Sequence, residues 1–441
     1  MNGLDRIREA AARDRNLRFT NLMHHITPEL LRESYCVLRR DAAVGVDDVT
    51  WQEYGDGLEV RITDLHNRVQ SGRFRAKPSK RGWLPKPDGR KRPIGITALE
   101  DKIAQKAAVL VLNQIYEVDF LGFSYGFRPG RSQHNALDAI WVGIKQRKVK
   151  WVLDADIKSF FDTINHTRLM KFLERRIADP RMLRLIRKWL RAGVSEDGEW
   201  SRTEVGTPQG SVISPLLSNI YLHYVLDKWV QDWRKSKASG EVIIVRYADD
   251  FVMGFQHQYE AKRFLEEMKE RFAQYGMEIH GEKTRLIEFG RFAEENRTER
   301  GEGKPETFDF LGFTHICSRT LKGNHFTIHR KTIAKRFRAK LKEVREEVMR
   351  RRHEPVPVLG KWLRSVVQGH FNYFAVPGNG SAIKAFRREV NRAWLYALRQ
   401  RSQIASSLPW VRVKRLIETW IPTARILHPY PNQRLRVNYP R

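Results

Sequence analysis

The chain has 441 residues with 41% hydrophobic content and a formal net charge of +30. The length predicts more than one soluble domain, and the charge predicts a polyanionic partner, with nucleic acid as the first candidate. Apolar stretches such as 107–112 are far shorter than the roughly 20 residues of a membrane helix. Cys36 and Cys317 are too far apart for a Cys-x-x-Cys motif. Without an apolar signal sequence either, we expect a cytoplasmic protein with no membrane partner.

The first 320 residues mix two kinds of hydrophobic periodicity. Short β-branched runs at 151–157 and 242–246 predict strands, and longer stretches have helical periodicity. The predicted helices are 103–116, 131–146, 167–176, 182–192 and 259–275. This mixture predicts an α+β fold with an antiparallel sheet. Residues 294–304 are charged and lack apolar anchors, which predicts a surface loop.

The last quarter of the chain carries most of the net positive charge. Residues 331–441 contain 25 lysines and arginines against 6 aspartates and glutamates. Helical periodicity predicts helices at 331–352, 359–374 and 382–401, and three basic helices in a row favour a nucleic-acid-binding bundle. Beyond residue 406 the chain is rich in proline and arginine, which predicts a largely irregular tail.

Two adjacent carboxylates stand between two apolar, strand-like runs. Asp249 and Asp250 follow the β-branched run 242–245 and precede the apolar run 251–253, so a β-hairpin tip is predicted. Adjacent aspartates in an apolar setting are unfavourable unless a cation compensates their charge. The pattern therefore favours a metal site, with an ordinary Asp-Asp turn as the alternative.

A second acidic cluster strengthens the metal hypothesis. Strand alternation places Asp154 and Asp156 on one face, at the end of the predicted strand. Phosphoryl transfer by two Mg²⁺ ions about 3.5–4 Å apart uses such carboxylates to hold both ions. We therefore predict that Asp156, Asp249 and Asp250 are catalytic and bind two Mg²⁺ ions.

Several sequence blocks, taken in order, resemble those of bacterial group II intron-encoded reverse transcriptase/maturases. The blocks are 43–47 (AVGVD), 85–96 (PKPDGRKRPIGI), 126–131 (GFRPGR), 156–161 (DIKSFF), 206–211 (GTPQGS), 214–219 (SPLLSN), 247–250 (YADD), 281–284 (GEKT) and 310–313 (FLGF). The resemblance implies a right-hand polymerase with fingers and palm in residues 1–320. It also implies an α-helical thumb/maturase domain in 321–405, followed by a basic Pro/Arg-rich C-terminal tail in 406–441.

The same resemblance implies an activity and its partners. The chain is expected to be an RNA-directed DNA polymerase that adds dNTPs to a primer 3′-hydroxyl and also binds its intron RNA to assist splicing and mobility. The expected partners are group II intron RNA, an RNA template, a DNA primer and dNTPs, and a homodimer remains open. The chain resembles the short form of the family that lacks a zinc endonuclease domain, so second-strand cleavage is not expected.

The resemblance also implies roles for residues that bind the dNTP. Lys86 and Arg92 would neutralise the triphosphate, because arginine and lysine both pair with phosphate oxygens. Phe161 would lie beneath the incoming sugar and exclude a 2′-hydroxyl. Gln209 and Gly210 would lie beside the nascent base pair, and Lys283 would protonate the leaving pyrophosphate. The alternative for Lys86 and Arg92 is a solvated basic hairpin, and the alternative for Phe161 is a core aromatic. For Gln209 and Gly210 it is a Pro-Gln-Gly turn, and for Lys283 a solvated lysine.

Other positions and other functions stay open at this stage. Arg128 and Arg131 brace either the template or the fold, and His370 is expected to be structural. Aromatic residues among the basic helices either stack on bases or fill the core. The alternative functions are a domesticated reverse transcriptase used in defence or repair, and a non-catalytic RNA-binding splicing factor.

Overall fold

The computed structural model describes residues 3–85, 91–196, 199–201, 206–207, 210–320 and 323–435. The α-helices are α1 Gly3–Arg13, α2 Pro28–Cys36, α3 Trp51–Gly55, α4 Leu58–Gln70, α5 Leu99–Asp119, α6 Gln133–Gln146, α7 Phe160–Thr163, α8 His166–Leu173, α9 Pro180–Arg191, α10 Ser214–Leu222, α11 Lys228–Ser236, α12 Gln258–Gln274, α13 Ala293–Glu299, α14 Ala334–Arg350, α15 Val356–Phe374, α16 Gly380–Arg399, α17 Gln403–Ser406, α18 Trp410–Trp420 and α19 Pro431–Arg434. The strands are β1 Ser79–Pro85, β2 Lys91–Ile96, β3 Trp151–Asp156, β4 Val194–Glu196, β5 Glu199–Ser201, β6 Val242–Tyr247, β7 Asp250–Phe255, β8 Arg285–Glu288, β9 Phe308–Phe310, β10 Phe313–Arg319 and β11 Phe326–Thr332. A 3₁₀-helix at Met23–His25 and a π-helix at His223–Asp227 complete the helical segments.

The central sheet has the strand order β6-β7-β3-β8, and every neighbouring pair is antiparallel. Alternate residues of β3 face two different cores: Leu153 packs in one with α5, and Val152 packs in the other with α6. Because both faces are covered, apolar residues occupy most positions of β6 and β7. The α+β prediction and the antiparallel sheet are confirmed, and Asp154 shares a face with Asp156 as expected.

Two further sheets, one of four strands and one of three, accompany the central one. The order β2-β1-β4-β5 combines the β1–β2 hairpin with a short parallel contact between β1 and β4. The order β11-β10-β9 is antiparallel, and β10 and β11 pair from Phe313–Thr332 to Arg319–Phe326. The predicted domain boundary at 320/321 therefore falls between two paired strands, and the helical part begins at α14.

The helical part contains α14, α15, α16 and α18 around a third hydrophobic core. The three predicted basic helices are confirmed, and His370 is buried against Phe386 with its ring stacked at 3.6 Å. Burial lowers the pKa of His370 to about 4, so the ring is neutral and structural. Among the described residues, no helix combines the length and the apolar composition needed to cross a bilayer.

Two sequence predictions are wrong in this region. The tail beyond residue 406 is not largely irregular, because α18 buries Val413 and Ile417 in the third core. The predicted loop 294–304 begins as α13, whose Ala293 is buried at its first position. In α18 a few apolar residues at helical spacing outweigh the polar composition, whereas α13 buries only Ala293 and the sequence of 294–304 offers no apolar pattern that would have predicted it.

A buried arginine holds the hairpin that β6 and β7 form. The guanidinium of Arg246 is fully buried, and it makes two hydrogen bonds with the carboxylate of Asp227, at 2.7 and 2.5 Å. It also donates to Asn219 Oδ1 at 3.0 Å, to the Ala248 carbonyl at 2.9 Å and to Ser124 Oγ at 2.7 Å. The side chain therefore fastens the hairpin turn to α10, to the π-helix and to the segment around Ser124.

The backbone around Arg246 makes a second set of contacts with the same segment. Arg246 N donates to the Phe123 carbonyl at 2.9 Å, and Tyr125 N donates to the Arg246 carbonyl at 2.8 Å. Gly126 lies directly against the hairpin turn, since a Cβ there would be 2.2 Å from Ala248 N. Only glycine allows this close approach.

We expect Asp227→Ala to destabilise the protein by about 3–5 kcal/mol, because it leaves the buried Arg246 charge uncompensated. The measurement is the free energy of unfolding in urea. Glu343→Ala is the matched control: Glu343 pairs with Lys340 on the surface at 2.6 Å, and such a pair contributes at most about 1 kcal/mol. Equal losses for the two variants would mean that Arg246 does not depend on its counter-charge.

Candidate active site

The hairpin tip and the end of β3 bring three carboxylates to one end of the central sheet. Tyr247 pairs with Asp250, so Ala248 and Asp249 form a two-residue loop. On the other side of β7, Asp250 is the register partner of Asp156. Ala248 has a φ of 57°, which is uncommon for a residue with a Cβ and is typical of a tight functional turn. The predicted hairpin is confirmed.

The three carboxylates lie close enough to affect one another's ionisation. Burial, followed by the negative charges of Asp249 and Asp156, raises the pKa of Asp250 to about 6. Burial, with a contribution from Asp156, also raises the pKa of Asp249. Burial raises the pKa of the neighbouring Asp154 to about 7. Asp250 lies at the solvent-exposed end of β7, so a cation from solution can reach the cluster and would be favourable there, because it compensates the repulsion between the carboxylates.

The donor set fits a hard divalent cation by its chemistry, because carboxylate oxygens are the ligands that Mg²⁺ prefers. The arrangement of the side chains supports a metal site less directly than their chemistry does. Within the described part of the chain, no three carboxylate, imidazole or thiolate groups converge as ligands of one ion. Asp156 is turned toward the ammonium of Lys283, with which it forms an ion pair. The backbone positions suit a metal site, and the side chain of Asp156 is held by another cation.

Lys283 reaches Asp156 because a tight turn precedes β8. Asp156 accepts a hydrogen bond at its carbonyl from His280 N at 2.8 Å, and Lys283 N donates to the His280 carbonyl at 3.1 Å. The predicted site residue Lys283 is thus brought to the acidic cluster, although its side chain is more than half exposed.

Two arginines from distant elements also act on the cluster. Burial dominates and raises the pKa of Asp249 and Asp250, and the charges of Arg92 on β2 and of Arg336 in the first turn of α14 oppose these two shifts in part. Arg92 was predicted as a dNTP ligand, and its position near the carboxylates agrees with a site for phosphate groups. Sequence reasoning missed Arg336, because nothing around it distinguishes it from the other basic residues of α14.

Phe161 lies in the short helix α7 and Gly210 on a loop that packs beside it. Thr207 N donates to the Phe161 carbonyl at 2.8 Å, and Phe161 itself is partly buried against the main core. Gly210 has a φ of 113°, and a Cβ there would be 2.7 Å from the Gly95 carbonyl on β2. The structure therefore connects the 206–211 block with both Phe161 and the β1–β2 hairpin. Lys86 and Gln209 lie outside the described residues.

The residues that hold this loop were not predicted. Gln105 is buried on α5, and its Oε1 accepts hydrogen bonds from Ser211 Oγ and Val212 N, both at 3.0 Å. The sequence signal that could have identified Gln105 was its position as a polar residue among the apolar positions of 103–116.

The open question about Arg128 and Arg131 is answered in favour of the fold. Arg128 is buried and pairs with Glu117 at 2.9 Å. Both arginines also donate to the Ser124 carbonyl at 2.8 Å. They therefore hold the segment that supports the hairpin.

The chain matches a family model described as reverse transcriptase (RNA-dependent DNA polymerase) over residues 84–315. It is 37% identical over 288 residues to Protein YkfC of Escherichia coli strain K12, covering 57% of this chain and 76% of that protein. It is 35% identical over 233 residues to the group II intron-encoded protein LtrA of Lactococcus lactis subsp. cremoris, covering 52% of this chain and 38% of LtrA. It is 24% identical over 211 residues to nuclear intron maturase 4, mitochondrial, of Arabidopsis thaliana, covering 47% of this chain and 25% of that protein.

These similarities agree with the order of the sequence blocks, and they confirm the resemblance to group II intron-encoded proteins. The family model alone covers more than half of the chain and includes the three carboxylates of the sheet end. The chain therefore belongs to the reverse transcriptase (RNA-dependent DNA polymerase) family.

Proposed function

We propose that this chain is an RNA-directed DNA polymerase whose reaction takes place at the end of the central sheet. The observation that carries the proposal is the register of the sheet, which pairs Asp156 with Asp250 next to the Asp249 turn. Asp156, Asp249 and Asp250 would hold two Mg²⁺ ions there. When bound, such ions lower the pKa of the attacking hydroxyl and neutralise charge on the phosphates.

The chain's own residues would position the reactants. Arg92 and Lys86 would pair with the triphosphate of the dNTP, and both come from the β1–β2 hairpin or its loop. Lys283 would leave Asp156 when the ions bind, which places its ammonium where it can protonate the departing pyrophosphate. Because Arg92, Arg336 and Lys283 approach the carboxylates from three separate elements, the site attracts polyphosphate from several sides.

The base pair and the sugar would be selected by α7 and the loop beside it. Gly210 lets the 206–211 block approach β2 closely, and Gln209 would lie beside the nascent pair. Phe161 would lie beneath the sugar of the incoming nucleotide. In this arrangement a 2′-hydroxyl collides with the phenyl ring, so deoxynucleotides are preferred.

We also propose that the chain binds group II intron RNA and assists its splicing. The similarity to LtrA supports this role, as does the basic helical part, which is suited to phosphate contacts. The part with the sheets would form fingers and palm, and the helices from α14 onward would form the thumb/maturase part and its basic extension. The RNA template and DNA primer would lie between them.

We expect the double substitution Asp249→Asn/Asp250→Asn to reduce primer extension with dNTPs and Mg²⁺ on an RNA template by at least about 1,000-fold, because it removes charge worth several kcal/mol in the transition state. Asp162→Asn is the matched control, since Asp162 is an exposed carboxylate six residues after Asp156. Extension by the double variant at the wild-type rate would refute the proposed site.

We expect Phe161→Ala to lower the preference for dNTPs over rNTPs by about 100-fold, measured as the ratio of kcat/KM values in primer extension. Phe292→Ala, which removes an exposed aromatic ring, should leave the ratio unchanged. If Phe161 were only a core residue, its loss would reduce the use of both nucleotides equally and the ratio would not move.

The splicing role predicts that the wild-type chain accelerates exon ligation of a group II intron precursor RNA by at least about tenfold when Mg²⁺ is too low for self-splicing. The precursor is taken from the genomic sequence that flanks the coding region. Active polymerase that gives no acceleration with this RNA would favour a reverse transcriptase without a splicing role.

A further inference from the structure

Helix α16 presents two parallel rows of side chains on its outer side. Lys384, Arg388 and Arg392 follow one another at four-residue spacing, and so do Arg387, Asn391 and Leu395. Residues four apart lie on the same side of a helix, one turn above another. The two rows together line a cavity of about 640 Å³, which is within the usual range for ligand sites.

The opposite wall of the cavity comes from both ends of α18. Trp410 begins that helix with its side chain about half exposed, and Thr423 with Ala424 follow its end. The wall is fixed in place by Arg387, which donates to the Pro422 carbonyl at 2.8 Å. The cavity is therefore an elongated groove, about 17 Å long between the levels of Lys384 and Leu395.

Asn391 gives the groove a polar floor. This side chain is 6% exposed, and its Oδ1 atom is buried without a hydrogen-bond partner. A buried amide oxygen without a partner is destabilising, and such atoms in native structures call for an explanation. Because Asn391 lines the groove, a ligand with a hydrogen-bond donor would satisfy it.

The charge of the groove selects an anionic ligand. Its lining includes three arginines and one lysine and no carboxylate among the described residues. Glu389 offsets part of this charge from outside the lining, through contacts of 3.6 Å with Arg388 and 3.0 Å with Arg392. Both arginines remain about two-thirds exposed, so their charges are available at the rim.

We propose that this groove binds an unpaired nucleotide stretch of an RNA, with one base inserted between Trp410 and Asn391. The phosphates would pair with Lys384, Arg388 and Arg392, the base would stack on the indole, and an exocyclic amine or ring N–H would donate to Asn391 Oδ1. A paired base cannot enter such a groove, because its edge and faces are occupied within the duplex. This inference rests on the proposed RNA-binding function and specifies how one part of the RNA is recognised.

The test compares the binding of two probes to the full-length chain by fluorescence anisotropy at fixed salt. One probe is a labelled 12-nucleotide single-stranded RNA of mixed sequence, and the other is the same strand in a perfect duplex. Trp410→Ala should weaken single-strand binding by about tenfold or more, and duplex binding by less than about twofold. Tyr396→Ala is the matched control, since it removes an exposed aromatic ring of α16 that does not line the groove.

A second variant and a crosslinking experiment test the same groove independently of Trp410→Ala. Asn391→Asp should also weaken single-strand binding, because it places a carboxylate on the floor. A 4-thiouridine probe should crosslink to the peptide that contains Trp410. The Trp410→Ala variant is compared only if its thermal stability equals that of the wild type. The proposal is wrong if this variant binds the single strand as tightly as Tyr396→Ala does, or if it loses as much affinity for the duplex as for the single strand.

Two further measurements separate this proposal from its rivals. The first measurement is competition by polyglutamate. If polyglutamate displaces the RNA probe and RNA binding is insensitive to Trp410→Ala, the groove is a site for acidic peptides and the proposal is wrong. Primer extension is measured on the same wild-type preparation. If the chain does not extend the primer but binds RNA in a Trp410-dependent way, the polymerase proposal is wrong and the groove proposal holds. If the chain extends the primer but its RNA binding does not depend on Trp410, the groove proposal is wrong and the polymerase proposal holds.

Discussion

The active-site hairpin depends on one buried ion pair. Arg246 is the residue before Tyr247 of the hairpin, and its guanidinium is surrounded by Asp227, Asn219, Ser124 and the Ala248 carbonyl. A buried arginine is tolerated only when its donors and its charge are satisfied. Asp227 can satisfy it because the π-helix His223–Asp227 places that carboxylate against the sheet, and π-helical turns are frequent at functional sites. The position of Asp249 and Asp250 is thus set by contacts on the opposite side of the turn.

The same constraint explains how a strongly basic chain can maintain an acidic site. Desolvation and the charges of neighbouring carboxylates raise the pKa of Asp249 and Asp250, so the fold has to hold the cluster together against repulsion. The Arg246 network supplies that rigidity, and although its charge is paired with Asp227, it also opposes the upward shift in the pKa of Asp249. The cations that face the carboxylates, Arg92, Lys283 and Arg336, come from separate elements. In the proposed reaction these cations would move toward the substrate phosphates, while the Arg246 contacts hold the hairpin.

The sequence was sufficient for features that depend on local patterns, and insufficient for those that depend on distant partners. The strands around Asp249 and the basic helices follow from periodicity, and the structure has them at nearly the predicted positions. The pairing of Arg246 with Asp227 could not be predicted, because it depends on one π-helical turn 19 residues earlier. Arg336 could not be distinguished in the sequence from the other basic residues of α14. The error at α18 has a different cause: Val413, Ile417 and Ile421 recur at helical spacing, but the proline and arginine content of the tail was given more weight than this periodicity.

Helix α16 shows how the helical part can be stable and still bind a polyanion. Its inner side buries Phe386, Val390 and Trp394 completely in the third core, and at roughly 2 kcal/mol for each large side chain this burial fixes the helix without help from its charged residues. Of the cations on the outer side, Arg388 and Arg392 share Glu389, and Arg387 donates to the Pro422 carbonyl. Stability and ligand binding are therefore assigned to different sides of one helix. Asn391 lies where the two sides meet, buried like a core residue but lining the groove with an unpaired polar atom.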